Sequence, residues 1–303
     1  MMVKVSVVIC TYNREAYLPE CLEHLKQQTA SPSDFEIVLV NNNSSDSTEE
    51  ICKDFQNQNP DLNVVYALES NPGLSYARNC GIATATGQVV CFIDDDGFAV
   101  PEYVETLINF SSDSNYNEYV AFGGKVIPRY NLGKDPKWLS SYLEGLVSKV
   151  DMGEEIMPFV KKYPVGCNMA FRSEFFVEHG GFNTDLHTRS DEKFVFDKLK
   201  KAELKTLYVP KMKVEHFIDD YRLEHPFIKK LSKIVGQSEA LRLKDLGLGK
   251  RLLKLIEYKF KLGASFILAV MFLIKGQLAK AKYIVLVRWY ILLGFFIKKK
   301  RFS

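Results

Sequence analysis

The stretch VKVSVVICTYNREAYLPECLEHLKQQTASPSDFEIVLVN, residues 3 to 41, decides the fold. A β-branched apolar run from Val3 to Ile9 leads into a segment with Leu18, Cys21, Leu22 and Leu25 at helical spacing and Glu20, Glu23 and Lys26 elsewhere. A second apolar run follows, from Phe35 to Val40. The alternation then continues. Val64 to Leu68 and Val89 to Ile93 read as two more strands. A helix is predicted after the second strand, with Ser47 and Glu50 as a capping box ahead of Ile51 and Phe55. An Ala- and Gly-rich helix from Leu74 to Ala85 follows the NPG turn at 71–73 and is expected to lie close against the sheet. Continuous apolar strands alternating with helices imply an α/β fold around a mostly parallel sheet covered on both faces. Beyond Gly97 the rhythm loosens, and the stretch around Trp138 is left unassigned. Helices return at Ser173 to His179 and at Asp191 to Ala202.

A chain of 303 residues with 47% hydrophobic and 25% charged residues can bury a sizeable core. Its net charge of +3 hides an asymmetry. Residues 226–303 carry 18 Lys and Arg against 3 Asp and Glu, or +15, which leaves 22 minus 34, or −12, for residues 1–225. That division gives two expected parts, a catalytic domain at 1–225 and a basic, apolar helical appendage at 226–303. The six cysteines show no CxxC pair and no His at metal spacing, so reduced thiols in a cytosolic setting are expected rather than a disulfide frame or a zinc site. The first residues enter a strand directly, with none of the marks of a secretory signal.

Ligands of open parallel sheets bind at the carboxyl ends of the strands. Three unusual polar stretches fall there: CTYNR after the first strand, NNNSSD after the second and DDDG after the fourth. Consecutive carboxylates about 6 Å apart repel by roughly 3 kcal/mol per pair at an effective dielectric near 20, so Asp94, Asp95 and Asp96 call for a cation. If the chain stays extended past Ile93, Asp94 and Asp96 point to one side and Asp95 to the other. Mn²⁺ or Mg²⁺ takes such oxygen ligands and completes its shell with water and phosphate, which suggests a diphosphate ligand. A calcium loop is the weaker alternative, because the spaced acids and distal Glu are missing.

At these residues the chain resembles the nucleotide-sugar-dependent glycosyltransferases of family 2, which have the GT-A fold. The resemblance runs through VSVVICTYNREAYLPECLEHLKQQT, FEIVLVNNNSSDST, NPGLSYARNCGIATATGQVVCFIDDDG, VGCNMAFRSEFF, GGFNTDL and DEKFVFDKLKKAEL, over roughly residues 3 to 220. It implies an inverting, metal-dependent transfer of a sugar, a hexose by expectation, from a nucleoside diphosphate, above all UDP, to a glycan or lipid-linked hydroxyl in polysaccharide or cell-envelope synthesis. Thr11, Tyr12 and Asn13 then resemble donor contacts, with the Tyr ring on the base; Arg78, Asp94 and Asp95 resemble further donor contacts. Asp94, Asp96 and His216 resemble the Mn²⁺ or Mg²⁺ ligands. Asn41 stands where the family usually has an Asp that meets uracil, so the base preference is open. In the family's ED motif the acid is the base, and SDEKF offers both Glu192 and Asp191, Glu192 by register. Gly166 and Asn168 resemble the loop over the acceptor.

Each residue has a blander explanation: a strand-end Thr, a surface Arg, a structural His, acids that only cap a helix at about 0.3–1 kcal/mol. Two other functions compete. A sugar-nucleotide nucleotidyltransferase would need an early glycine-rich loop, which CTYNREAYL lacks, and a scaffold without donor affinity would bind no nucleotide.

In the tail, Leu262 to Ile274 and Tyr283 to Ile297 are too short or, at Arg288, too charged to span a bilayer comfortably. Lysines flank both. The expectation is a helical hairpin lying on an anionic membrane surface, hence a cytoplasmic protein peripheral to the inner face of the plasma membrane, with no nucleic-acid partner. The alternative is a soluble hairpin that packs on the catalytic domain or forms a dimer.

Overall fold

The computed structural model describes residues 3–160, 162–185 and 191–297, the side chain of Asp245 excepted. Leu186 and Ser190, which belong to the motifs quoted above, and the closing lysines lie outside the described residues. The strands are β1 (Val5–Thr11), β2 (Phe35–Asn41), β3 (Asn63–Leu68), β4 (Val89–Asp94), β5 (Gly97–Ala99), β6 (Tyr119–Gly123), β7 (Val126–Tyr130), β8 (Met157–Pro158), β9 (Met169–Arg172), β10 (Lys205–Tyr208) and β11 (Val214–Ile218). The helices are α1 (Leu18–Lys26), α2 (Thr48–Gln58), α3 (Leu74–Thr84), α4 (Tyr103–Ser112), α5 (Ser173–His179), α6 (Asp191–Lys201), α7 (His225–Arg242), α8 (Leu248–Ile274) and α9 (Leu278–Phe296).

The large sheet has the order β3–β2–β1–β4–β9–β6–β10–β8. The first four strands are parallel, as their apolar runs imply. β9 then lies antiparallel to both β4 and β6, so the sheet is mixed beyond β4. Period-two alternation sorts the side chains. Val5, Val7 and Ile9 pack with Leu18, Cys21, Leu22 and Leu25 of α1 and with Leu107 of α4 on one face. Val8, Val38 and Phe92 pack with Ala77 of α3, Phe175 of α5 and Val195 of α6 on the other. Gly81 lets α3 approach, since a Cβ there would sit 2.3 Å from Val8 Cγ1. A smaller sheet, β5–β11–β7, brings β11 beside the strand that follows the acidic triplet.

One expected local device is absent. Ser47 makes no side-chain cap; Asp46 Oδ1 accepts from Thr48 N at 3.1 Å instead, and Ser47 N donates to Glu15 Oε2 at 3.0 Å. A partner from another loop has displaced the capping box.

The described residues divide into two compact units. The one just described is drawn from residues up to Pro128, from 150 to 185 and from Asp191 to Phe217. The other comprises Arg129–Lys149 and the chain from Ile218 onward. In it Trp138, Leu139 and Leu143 pack with Ile228 of α7 and with Ile284, Val287 and Ile291 of α9, which accounts for the unassigned stretch. Trp138 stacks on Tyr283 with ring centroids 5.5 Å apart, and Arg288 Nη2 donates to Tyr142 O at 3.1 Å. Of the 27 residues of α8 only Ser265 is buried. Leu253, Ile256, Phe260, Ile267, Val270 and Ile274 recur along one exposed stripe of it, Phe260 at 76% and Ile274 at 82%. No helix among the described residues is long and apolar enough to cross a membrane.

Candidate active site

The register of the parallel strands pairs Thr11 with Asn41 and Cys10 with Asp94, so the three polar stretches leave the sheet at one edge. They are stitched together there. Asn13, in the left-handed region at φ 52°, donates its backbone N–H to Ser44 Oγ at 3.0 Å and accepts from Ser45 N at 2.8 Å. Arg14 N donates to Thr48 Oγ1 at 2.9 Å, while its guanidinium lies 3.3 Å from Asp95 Oδ1 and 3.1 Å from Asp96 Oδ2. Arg14 was not singled out from sequence beyond its place in CTYNR. Its signal was available in kind: a basic residue in the first loop facing an acidic loop that needs one.

The triplet is not extended. β4 ends at Asp94, and Asp95 and Asp96 form a turn before β5. The turn sends Asp95 and Asp96 together towards Arg14, overturning the alternating arrangement, and leaves Asp94 facing Arg78 at 3.6 Å. Asp96 is engaged at both oxygens, because His216 Nε2 lies 3.0 Å from Oδ1. β11 fixes that contact with Phe217 N donating to Asp96 O at 2.9 Å. His216 Nδ1 is buried with no hydrogen-bond partner. Burial raises the Asp94 carboxyl against the pull of Arg78. Burial, then the Asp96 charge, pushes Asp95 up to about 7.

Arg78 is no surface residue. It is 2% exposed, under the ring of Phe182 at 5.3 Å, and joins Asp94 to Asp191, whose Oδ2 is 2.5 Å from Nη1. Gly166 faces it: a Cβ there would stand 2.5 Å from Arg78 Nη2. Burial acts to lower the Arg78 value, but Asp191 and Asp94 reverse this and hold it above the ordinary one. The two acids at the start of α6 are thereby split. Burial works to raise Asp191, yet Arg78 outweighs it and keeps the carboxylate below its usual range. Glu192 keeps partial access to solvent, and loss of water followed by the Asp191 charge pushes it up to about 7. Capping therefore does not explain Asp191, since its carboxylate is bound to an arginine.

Other expected residues are spent inside the fold. Asn41 is buried; its Nδ2 donates to Tyr66 Oη at 3.1 Å and its Oδ1 accepts from Ser44 N at 2.9 Å, which leaves the amide oxygen one further lone pair. Asn168 is also buried. Its Oδ1 accepts from Tyr103 Oη at 2.8 Å, and Nδ2 donates to Lys125 O at 3.0 Å and Met212 O at 2.8 Å, which leaves no donor for an acceptor sugar. It holds the loop instead. Thr11 is buried beneath the site, whereas the Tyr12 ring is 58% exposed and open to stacking.

Whether the site suits a divalent cation can be judged from its donors. One potential ligand atom each from Asp94, Cys167 and His216 lies within 4.8 Å of the others. The orphaned imidazole nitrogen and the half-open Asp94 fit a cation. The expected direct role of Asp96 does not, because Arg14 and His216 already take its oxygens. Cys167 is among the thiols expected to be reduced; 73 residues separate it from Asp94, and no local spacing signals the meeting.

Residues 6–180 match the model of glycosyl transferase family 2. The glucosyl-dolichyl phosphate glucuronosyltransferase of Haloferax volcanii is 31% identical over 254 residues, covering 80% of this chain and 78% of that protein. Further curated relatives match over 98 to 130 residues, and the chain spans a third or less of their length. Among solved structures, a mannosyltransferase from Pyrobaculum calidifontis in complex with GDP-Man and Mn²⁺ superposes with a TM-score of 0.62 at 18% identity, over 96% of this chain and 88% of that one. S. aureus TarS 1–349 in complex with UDP gives 0.56 at 15% identity, over 96% and 90%. The fold is thus of the GT-A type.

Proposed function

The chain belongs to glycosyl transferase family 2, a family of enzymes that transfer sugars to glycans or lipid-linked acceptors, and from that premise we propose an inverting transfer from a nucleoside diphosphate sugar, a UDP-sugar by preference, to a hydroxyl acceptor. The observation that carries this reading is the Arg78 bridge. One guanidinium ties Asp94, at the corner where a diphosphate would sit, to Asp191, beside the only carboxyl of the pair free to accept a proton. Glu192 is that base. With a value of about 7 it takes the hydroxyl proton at neutral pH, and attack on the face opposite the departing diphosphate inverts the anomeric centre. Tyr12 offers its open ring to the nucleobase, with Thr11, Asn13 and Arg14 shaping the floor beneath it. Asp94 and His216 would hold Mn²⁺ or Mg²⁺, with Asp96 bonded behind the imidazole; bound there, such an ion takes up charge growing on the leaving diphosphate. Asp95 and Arg14 neutralise each other beside that corner.

The acceptor is proposed to be lipid-linked and the enzyme peripheral to an anionic, cytoplasmic membrane face. The similar glucuronosyltransferase carries a dolichyl phosphate in its name. The exposed apolar stripe of α8, flanked by the exposed Lys250, Lys259, Lys261 and Lys275, matches an anionic bilayer in both apolarity and charge.

Calorimetry with UDP, GDP and dTDP, each with and without Mn²⁺, tests the donor reading. Binding of one nucleotide that needs the metal and is lost in Asp94→Asn supports it. Failure of all three to bind sinks it.

A further inference from the structure

Cys167 is a group of the acidic corner that the proposed transfer does not use. It lies within the turn closed by Asn168 N donating to Val165 O at 2.9 Å, just ahead of β9, and is 2% exposed. Asn168 holds that turn through Tyr103, Lys125 and Met212, so the thiol is set on a braced loop. On one side Cys167 packs with Val126, Val150 and Tyr208, and on the other it comes within 4.8 Å of ligand atoms of Asp94 and His216. Two donors on one tetrahedral ion, at bond lengths of about 2.1 and 2.3 Å, stand roughly 3.6 Å apart. The trio is therefore near closure on a single ion.

The imidazole supplies an independent pointer. Asp96 Oδ1 faces His216 Nε2 at 3.0 Å, and Asp96 is itself held by Arg14. A carboxylate behind one ring nitrogen fixes the proton on that nitrogen and leaves a lone pair on the other. That other nitrogen, Nδ1, is buried and without a hydrogen-bond partner.

We infer that Cys167 is a thiolate ligand of the divalent cation, giving a Cys–His–Asp set of Cys167, His216 and Asp94 that favours Co²⁺, Zn²⁺ and Mn²⁺ over Mg²⁺. This rests on the reading that the corner takes a divalent ion at all. As the sulfur–metal bond forms, the thiol proton leaves to solvent; His216 and Asp94 bind through lone pairs they already hold. A soft donor among hard ones shifts selectivity towards the later first-row ions, because Mg²⁺ gains little from sulfur.

The test is titration of the full, metal-stripped chain with Co²⁺, followed by absorbance. The expected result is an intense near-ultraviolet thiolate-to-cobalt charge-transfer band at one equivalent, kept in Cys10→Ser and Cys91→Ser and lost in Cys167→Ser, with Co²⁺ binding weakened at least about tenfold. Cobalt binding with weak visible bands and no charge transfer overturns the cysteine while leaving the cation site standing. A band that survives in Cys167→Ser also overturns it, and absence of any cobalt binding removes both. If Cys167→Ser does not fold, Cys167→Ala is read in its place, and a wild-type spectrum without the band overturns the assignment by itself.

Discussion

The two units differ in what they leave exposed. Around the sheet, acids are answered within the chain: the buried Asp95 and Asp96 by Arg14, and the half-open Asp94 and buried Asp191 by Arg78. In the helical unit a buried acid, Glu239, is likewise held by Arg242 and Lys254, but most of the charge is positive and exposed, and α8 leaves a row of large apolar side chains in contact with water. A buried ionic network costs desolvation that fixed partners must repay, so it suits a site needing defined geometry. An exposed apolar stripe beside lysines gains only when something outside covers it. On the proposed reading, the first unit holds a small ligand and the second meets a membrane surface.

The comparison fails most visibly at Arg78. Arg78→Met leaves the buried Asp191 and the half-open Asp94 without their cation and should cost about 3–5 kcal/mol in urea unfolding. A loss under 1 kcal/mol would mean the network is solvated rather than sealed. Glu192→Gln should keep the stability and nucleotide affinity of the first unit while lowering turnover by about 10²–10⁴-fold. In the parent enzyme kcat should rise with pH through about 7, because the base must be ionised, and the Gln variant should lose that rise. The stability effect has the opposite sign. A carboxyl raised from its ordinary 4.5 to about 7 favours folding fully below 4.5, and the advantage fades as pH climbs through 7. On the helical side, Phe260→Glu should weaken binding to anionic vesicles by about 10- to 100-fold, one buried aromatic being worth about 1.5–3 kcal/mol. Transfer to a water-soluble acceptor should be untouched. Lys261→Gln should weaken the same binding only about fivefold, and added salt should erase the difference.

Much of the first unit was legible because its information is local. β1 to β4 are continuous apolar runs, the face of α1 repeats at helical spacing, and the polar loops stand where strands end. The short strands β5 to β11 hold two to five residues each and carry no periodic signal, so the antiparallel entry of β9 and the mixed sheet could not be read. The site was legible as residue types, less so as partnerships. Arg78 and Asp191 lie 113 positions apart and Arg14 and Asp96 lie 82 apart, and nothing in either neighbourhood names its mate. Asn41 and Asn168 illustrate the same limit: an amide suited to a ligand is equally suited to a loop, and both are hydrogen-bonded within the fold.

The placement of Arg78 against Gly166 has a mechanical consequence. With a backbone wall behind it and carboxylates to either side, the guanidinium works as a tie rod between the diphosphate corner and the helix that bears the proton acceptor. On the proposed reading, leaving-group departure and hydroxyl activation would then share a single spacing, set by the Asp94–Arg78–Asp191 contacts.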